Sequence, residues 1–193
     1  MTVSAIIGLG NPGAQYADTR HNAGAWMVEQ LAQQAGSRLR SERKFLGSYA
    51  KVECAGHTLH LLVPSTYMNR SGQSVSLLTK FFKLAPDQLL VAHDELDIPP
   101  GQARFKQGGG HGGHNGLRDI ISALGNDRNF HRLRIGIGHP GYANQVTNYV
   151  LGPPGKRERQ AIDSSVDAAI DALPYGLAGD WANAMNRLHA VRF

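Results

Sequence analysis

The sequence predicts an α/β fold, a mixed sheet flanked by helices, in a single domain spanning residues 1–193. Three observations carry this. Short apolar runs bounded by Gly or Pro alternate with stretches at helical spacing, the pattern of a sheet covered by helices. Two of the strand-like runs are joined by a tight turn, so antiparallel pairs enter as well. Finally, 193 residues without an internal repeat, low-complexity tract or Pro/Ser-rich linker fit one domain with a sizeable core.

In chain order, Thr2–Ile7 reads as a buried strand running into a Gly/Pro turn. Asn22–Ala35 is helical, with Met27, Val28, Leu31 and Ala35 on one face and Gly36 as the stop. Phe45–Glu53 and His57–Val63 form a hairpin across Ala55-Gly56. Ser71–Leu84 returns to helical spacing, closed by Pro86, and Leu89–Ala92 is a short apolar strand. Ile98–Lys106 carries Pro99-Pro100-Gly101 and belongs at a sheet edge, because proline cannot donate to a central ladder. Asn115–Leu124 is a helix capped by Asn115 and stopped by Gly125. Arg132–Ile137 alternates charged and apolar residues like a half-exposed strand. After Pro153-Pro154-Gly155 the chain is mostly helical to Leu188.

Composition excludes several classes. Hydrophobic residues at 41% and charged residues at 18% rule out a disordered chain. No run approaches the ~20 apolar residues of a membrane span, and Met1–Gly8 lacks the basic start of a signal peptide. The single Cys54 suits a reducing cytoplasm and can form no internal disulfide. The net charge of +5 is uneven. Between Ile98 and Arg134, six bases (Arg104, Lys106, Arg118, Arg128, Arg132, Arg134) face only Asp119 and Asp127. Such a stretch fits a polyanion partner, and fits ordinary surface charge equally well.

Familiar motifs fail on inspection. Gly8-Leu9-Gly10-Asn11-Pro12-Gly13 spells G-x-G-x-x-G, but Pro12-Gly13 makes a turn where a helix should open, and no acid ends a second strand. Gly152–Lys156 lacks the spacing of a phosphate loop. The nine histidines include no H-E-x-x-H and His111 and His114 sit in a glycine loop, so no metal is expected. There is no G-x-S-x-G elbow, so any hydrolysis would use a general base and water.

Candidates for that base exist. Thr19-Arg20-His21-Asn22 places a histidine where the first loop meets the first helix, and His93-Asp94-Glu95 follows the Leu89–Ala92 strand. If the first strand and that strand are parallel neighbours, both turns open on one edge and Asp94 reaches His21, which suits a base at neutral pH. A lone histidine there is, without further context, more often a capping or surface residue. Gln107–Leu117 is dense in glycine and ends at a helix N-terminus, which favours close approach of an anionic ligand, or a mobile loop. Asn11, Asn69 and Asn115 each stand at a turn or helix start, where an amide either caps or orients an acyl or ribose group.

Together these segments resemble the bacterial peptidyl-tRNA hydrolase family. The matching pieces are GLGNPG with Tyr16 and TRHNAG (8–24), YMNRSG (67–72), HDELD with IPPG (93–101), GGHGGHNGLRD (109–119) and RLRIGIGHP (132–140), in the family's order. Tyr67 stands where the aromatic is often Phe, and His111 where Ser or Asn is common. The resemblance implies a monomer with helices on both sides of the sheet, a cytoplasmic setting, and no cofactor. It implies hydrolysis of the ester between a peptidyl group and the 3′ ribose of tRNA, with peptidyl-tRNA as partner and no membrane. By motif, His21 is the base and Asp94 its orienting partner; Asn69 and Asn115 bind substrate beside the ester. Asn11 distinguishes N-acylated from free-amino substrates, and Tyr16 and Tyr67 line the site. In the basic stretch, Lys106 and Arg134 are the expected phosphate contacts. The rival reading is a non-catalytic RNA-binding relative on the same fold.

Overall fold

In the computed structural model, which describes residues 2–193, the chain runs β1 (Ala5–Gly8), α1 (Ala23–Gln34), β2 (Arg40–Glu42), β3 (Gly47–Cys54), β4 (His57–Pro64) and α2 (Ser71–Phe82). It continues through β5 (Leu89–Glu95), β6 (Ala103–Gln107), α3 (Asn115–Ala123), β7 (His131–Gly136), α4 (Val146–Val150), α5 (Lys156–Leu177) and α6 (Trp181–His189). The strands form one mixed sheet in the order β2-β3-β4-β1-β5-β7-β6. Its centre, β4-β1-β5-β7, is parallel, and antiparallel strands close both edges.

Alternation along the strands sorts the core into two layers. On one face Ile6, Leu90 and Ala92 pack against Met27 and Leu31 of α1 and Val166 and Leu173 of α5. On the other, Ala5, Ile7, Leu89 and Val91 meet Val75 and Leu78 of α2 and Ile120 of α3. Burying a central leucine or isoleucine on either face contributes about 1.5–3 kcal/mol. The two faces require helices on both sides, as the sheet's doubly buried centre does. One close approach fixes where α1 begins. A side chain at Gly8 would collide with the Gly24 carbonyl, and one at Gly24 with the Ala92 carbonyl, so the helix rides directly on β1 and β5.

Several boundaries differ from the sequence reading. The first strand starts at Ala5, and Phe45 ends a short 3-10 turn before β3. The exposed three-residue β2 was not anticipated. β5 runs on through Glu95, so His93 and Asp94 belong to the strand itself. The cap of α3 is His114, whose side chain accepts from the Gly116 and Leu117 amides; Asn115 is the first helical residue. β7 is buried between β5 and β6, and Arg132 is withdrawn with it. β6 is an edge strand, as expected, but it starts at Ala103, and Pro99-Pro100 lie in the segment before it. No described helix is long and apolar enough to cross a membrane.

Candidate active site

β1 and β5 are parallel neighbours, with Gly8 opposite Ala92. The turn after β1 and the end of β5 therefore open on the same edge of the sheet, where ligands of α/β folds bind. A cavity of about 580 Å³ lies there, lined by Asn11, His21, Tyr67, Asn69, Asp94 and Asn115, among others. Six residues chosen from the sequence thus converge on one space.

His21 sits in the 3-10 turn that leads into α1, and its Nδ1 lies 3.0 and 2.9 Å from the two oxygens of Asp94. Asp94 is nearly inaccessible, its side chain 3% exposed. Burial alone would raise its carboxyl group, but His21 and His114, as charges and donors, outweigh burial and hold it far below the usual carboxylate range. Burial likewise opposes charging His21, and the Asp94 charge and hydrogen bond overcome it, so His21 titrates above its ordinary value. With Nδ1 donating to the carboxylate, Nε2 is left as an acceptor, the state a general base needs.

His114 completes the cluster. Its Nε2 lies 2.8 Å from Asp94 Oδ1, while Nδ1 accepts from the Gly116 and Leu117 amides at 3.1 and 3.3 Å. The proton of the neutral ring must then sit on Nε2 and point at Asp94. Among the described residues, His21, Asp94 and His114 are the one trio with metal-ligand proximity. Both rings, however, turn an N–H to the carboxylate, an arrangement of mutual hydrogen bonds rather than of free lone pairs.

Behind the cavity, His93 Nδ1 donates to the Asp94 carbonyl at 2.9 Å, and its Nε2 accepts from Arg132 Nε at 3.2 Å. Burial first, then His114 and Arg132, push His93 well below its ordinary value. Arg132 also donates to the carbonyls of Gly108 and Gly110, tying the glycine loop to β7. The opposite wall comes from α4 and its flanks, including Val146, Thr147 and Leu151. Arg20 secures that wall, donating to the Tyr149 and Gly152 carbonyls and to Glu158, with its guanidinium 3.9 Å from the Tyr149 ring centroid.

The amides have distinct partners. Asn11 Oδ1 accepts from the Met68 amide at 2.8 Å, and Asn115 Oδ1 accepts from Arg118 at 2.7 Å. In each case the carbonyl is engaged and the NH₂ is left for a ligand. Tyr67 is 59% exposed at the rim. Tyr16 is not brought into the lining; its backbone closes the turn back to Thr19. Lys106 and Arg134 also lie outside the cavity. Lys106 is exposed beside the glycine loop at Gly109, and Arg134 Nε is paired with Glu95 at 2.8 Å. Of the six bases in the basic stretch, Arg132 is buried, so its charge faces the interior. Sequence reasoning passed over His114, His93 and Arg132. Histidine is not among the usual caps, so no residue pattern marked the first of them.

The likeness to known proteins runs nearly end to end. The profile of a family described as peptidyl-tRNA hydrolase matches residues 5–193. A peptidyl-tRNA hydrolase of Chromohalobacter salexigens is 70% identical over 188 residues, 97% of each chain. One from Pseudomonas aeruginosa is 57% identical over 190 residues, 98% of each. The crystal structure of peptidyl-tRNA hydrolase from Acinetobacter baumannii superposes with a TM-score of 0.94 at 50% identity, covering 98% of this chain and 96% of that one. Fold, sequence and the six convergent residues fall within the same matched span, and the chain belongs to the peptidyl-tRNA hydrolase family.

Proposed function

We propose that this chain hydrolyses the ester joining a peptidyl, or N-acylaminoacyl, group to the 3′ ribose of tRNA, with His21 as general base and Asp94 as its orienting partner. One observation carries the reading: His21 Nδ1 rests on both oxygens of a buried carboxylate beside an open cavity, which leaves Nε2 for water. A water held there gives its proton to Nε2 while its oxygen attacks the ester carbonyl. The tetrahedral intermediate collapses by breaking the bond to the ribose oxygen, which takes the proton back from His21. Free tRNA and a peptide carboxylic acid leave, and no covalent enzyme intermediate forms.

The NH₂ groups of Asn115 and Asn11, with Asn69, supply donors for the developing oxyanion and the neighbouring acyl and ribose oxygens. Tyr67 offers an exposed ring on which the terminal base can stack. Exposed Lys106, beside the glycine loop, is suited to a phosphate, with Arg134 further along the neighbouring strand, opposite Arg104. We propose that it acts as a monomer, in the cytoplasm. The non-catalytic RNA-binding alternative is not favoured, because the base and its partner are both present and paired.

Incubation with N-acylaminoacyl-tRNA and with its free-amino counterpart, following release of the acyl group, tests the reading. Rapid release from the first and slow release from the second is expected. Binding of both without release would favour the RNA-binding alternative.

A further inference from the structure

Asp94 presents two oxygens, yet they are not divided evenly between its two histidines. Oδ2 meets His21 alone, while Oδ1 takes both His21 and His114, at 3.0 and 2.8 Å. The His21 and His114 rings lie 4.9 Å apart, and both are largely withdrawn from solvent. His93 packs edge-on against the His114 ring, centroids 5.3 Å apart, with its nitrogens taken by the Asp94 carbonyl and Arg132. The other charged or titratable groups around the pair are held by further partners or lie further out. His93 and Glu95 of β5 bond to Arg132 and Arg134 of β7. Arg20, in the turn that carries His21, is held by Glu158 and two carbonyls. His111, His139 and Asp97 line the cavity further out. Among the described residues, His21 and His114 are the two side chains hydrogen-bonded to the carboxylate.

We infer that His114 is a positioning residue for the general base: it shares the Asp94 carboxylate with His21 and limits how much of that charge reaches the base. The inference rests on the reading of His21 as base. Its chemistry is simple. Each donor to a carboxylate spreads the negative charge, so a second donor weakens the first. The same ring caps α3, directly before Asn115, so one side chain fixes the base's partner and a substrate amide together. Removing the donor concentrates the carboxylate on His21, whose ring lies 4.9 Å away. That stabilises protonated His21.

Two substitutions separate the ring's two duties. His114→Asn keeps an acceptor near the position of Nδ1, and asparagine is a strong N-cap, but it cannot reach Asp94. His114→Gln keeps a donor near the position of Nε2 and loses the cap. Because the base must be neutral, kcat/KM falls as pH drops through the His21 pKa. In His114→Asn that acidic limb should move to higher pH by roughly half a unit to one unit. The alkaline plateau should fall by about three- to tenfold as orientation loosens, with little change in Tm. His114→Gln should return the limb toward wild type while lowering Tm. An NMR titration of the His21 ring should show the same shift with no substrate present. An unmoved limb and titration in His114→Asn would overturn the inference, leaving His114 as a cap alone. A loss as deep as that of His21→Ala, with the limb in place, would also overturn it, by assigning His114 a direct role on substrate. If the wild type released no acyl group, the proposed function would fail, whereas the NMR titration would still decide this point.

Discussion

His21 and His93 are both withdrawn from solvent and both hydrogen-bond to Asp94, yet the two imidazoles are tuned in opposite directions. Burial lowers each. At His21 the Nδ1–H meets a full carboxylate charge, which outweighs burial and raises the pKa. At His93 the same atom meets only the carbonyl of that residue, while Nε2 faces the Arg132 guanidinium, so burial, His114 and Arg132 outweigh what the Asp94 carbonyl and charge offer a positive ring. One histidine is thereby poised to take a proton. The other is a neutral strut joining β5, β7 and the glycine loop. Burial lowers a withdrawn histidine, and a carboxylate partner is what reverses the shift at His21.

The comparison is broken most directly at its active side. His21→Ala should reduce turnover by about 10²–10⁴-fold, the usual contribution of a positioned base, with tRNA binding and fold nearly intact. Acyl release measured beside a binding assay checks this, and near-normal turnover would end the base assignment.

Asp94→Asn should slow turnover less completely than His21→Ala, since water or a neighbour can partly orient the ring. The sign of its pH effect is the sharper test. His21 titrates above its ordinary value because of Asp94; with the charge gone, burial is left, and burial lowers the pKa. The acidic limb of kcat/KM should therefore move to lower pH, opposite to the shift expected for His114→Asn. A limb that stays put would mean the carboxylate is not what raises His21.

On the neutral side, Arg132→Met should leave the Gly108 and Gly110 carbonyls and His93 Nε2 without their donor. A loss of about 1–3 kcal/mol in stability is expected, read by denaturant unfolding, with faster hydrogen exchange confined to the glycine loop. His93 should titrate nearer its ordinary value by NMR once the guanidinium is removed. Unchanged exchange in the loop would show that Arg132 does not anchor it. Smaller still, Lys106→Ala should flatten the log–log salt dependence of tRNA binding by about 0.7–0.9 for one lost phosphate contact. Arg134→Ala should flatten it less, because Glu95 already neutralises that guanidinium.

How much of this was legible in the sequence follows from the range of the forces involved. Strand ends, glycine turns and helix spacing are local, so the placement of His21 and Asp94 at one sheet edge could be read from residue patterns. The burial of Arg132 could not. Its alternation with Leu133 and Ile135 is that of a half-exposed strand, and partners distant in sequence, the Gly108 and Gly110 carbonyls and His93 Nε2, are what satisfy a buried guanidinium. The capping role of His114 was hidden for a related reason. Asparagine is the commoner cap, and histidine serves here because Asp94, distant in sequence, fixes which ring nitrogen carries the proton. Likewise β7 is covered because β6 pairs outside it, a tertiary fact with no signature in β7 itself.

Asn11 offers the finest test, because geometry divides its amide into two halves with separate duties. The carbonyl oxygen accepts from the Met68 amide and so holds the 67–70 turn that carries Tyr67 and Asn69. Its backbone is clasped on the other side by Asn22, which accepts from the Asn11 N–H and donates to the Asn11 carbonyl. The NH₂ group is what remains for substrate. A donor there suits the carbonyl of an N-acyl linkage, whereas a free ammonium offers only donors and resists desolvation. Asn11→Ala removes both halves, so it should lower Tm and turnover together and by itself decides little. Asn11→Asp keeps the acceptor for Met68 and replaces the donor with a carboxylate oxygen, which attracts an ammonium and repels a carbonyl. It should hold Tm near wild type while cutting the preference for N-acylated over free-amino substrate by about tenfold, the equivalent of one lost polar contact of ~1.4 kcal/mol. A preference that survives Asn11→Asp at full strength would leave Asn11 as the keeper of two turns and move discrimination to Asn69 or Asn115.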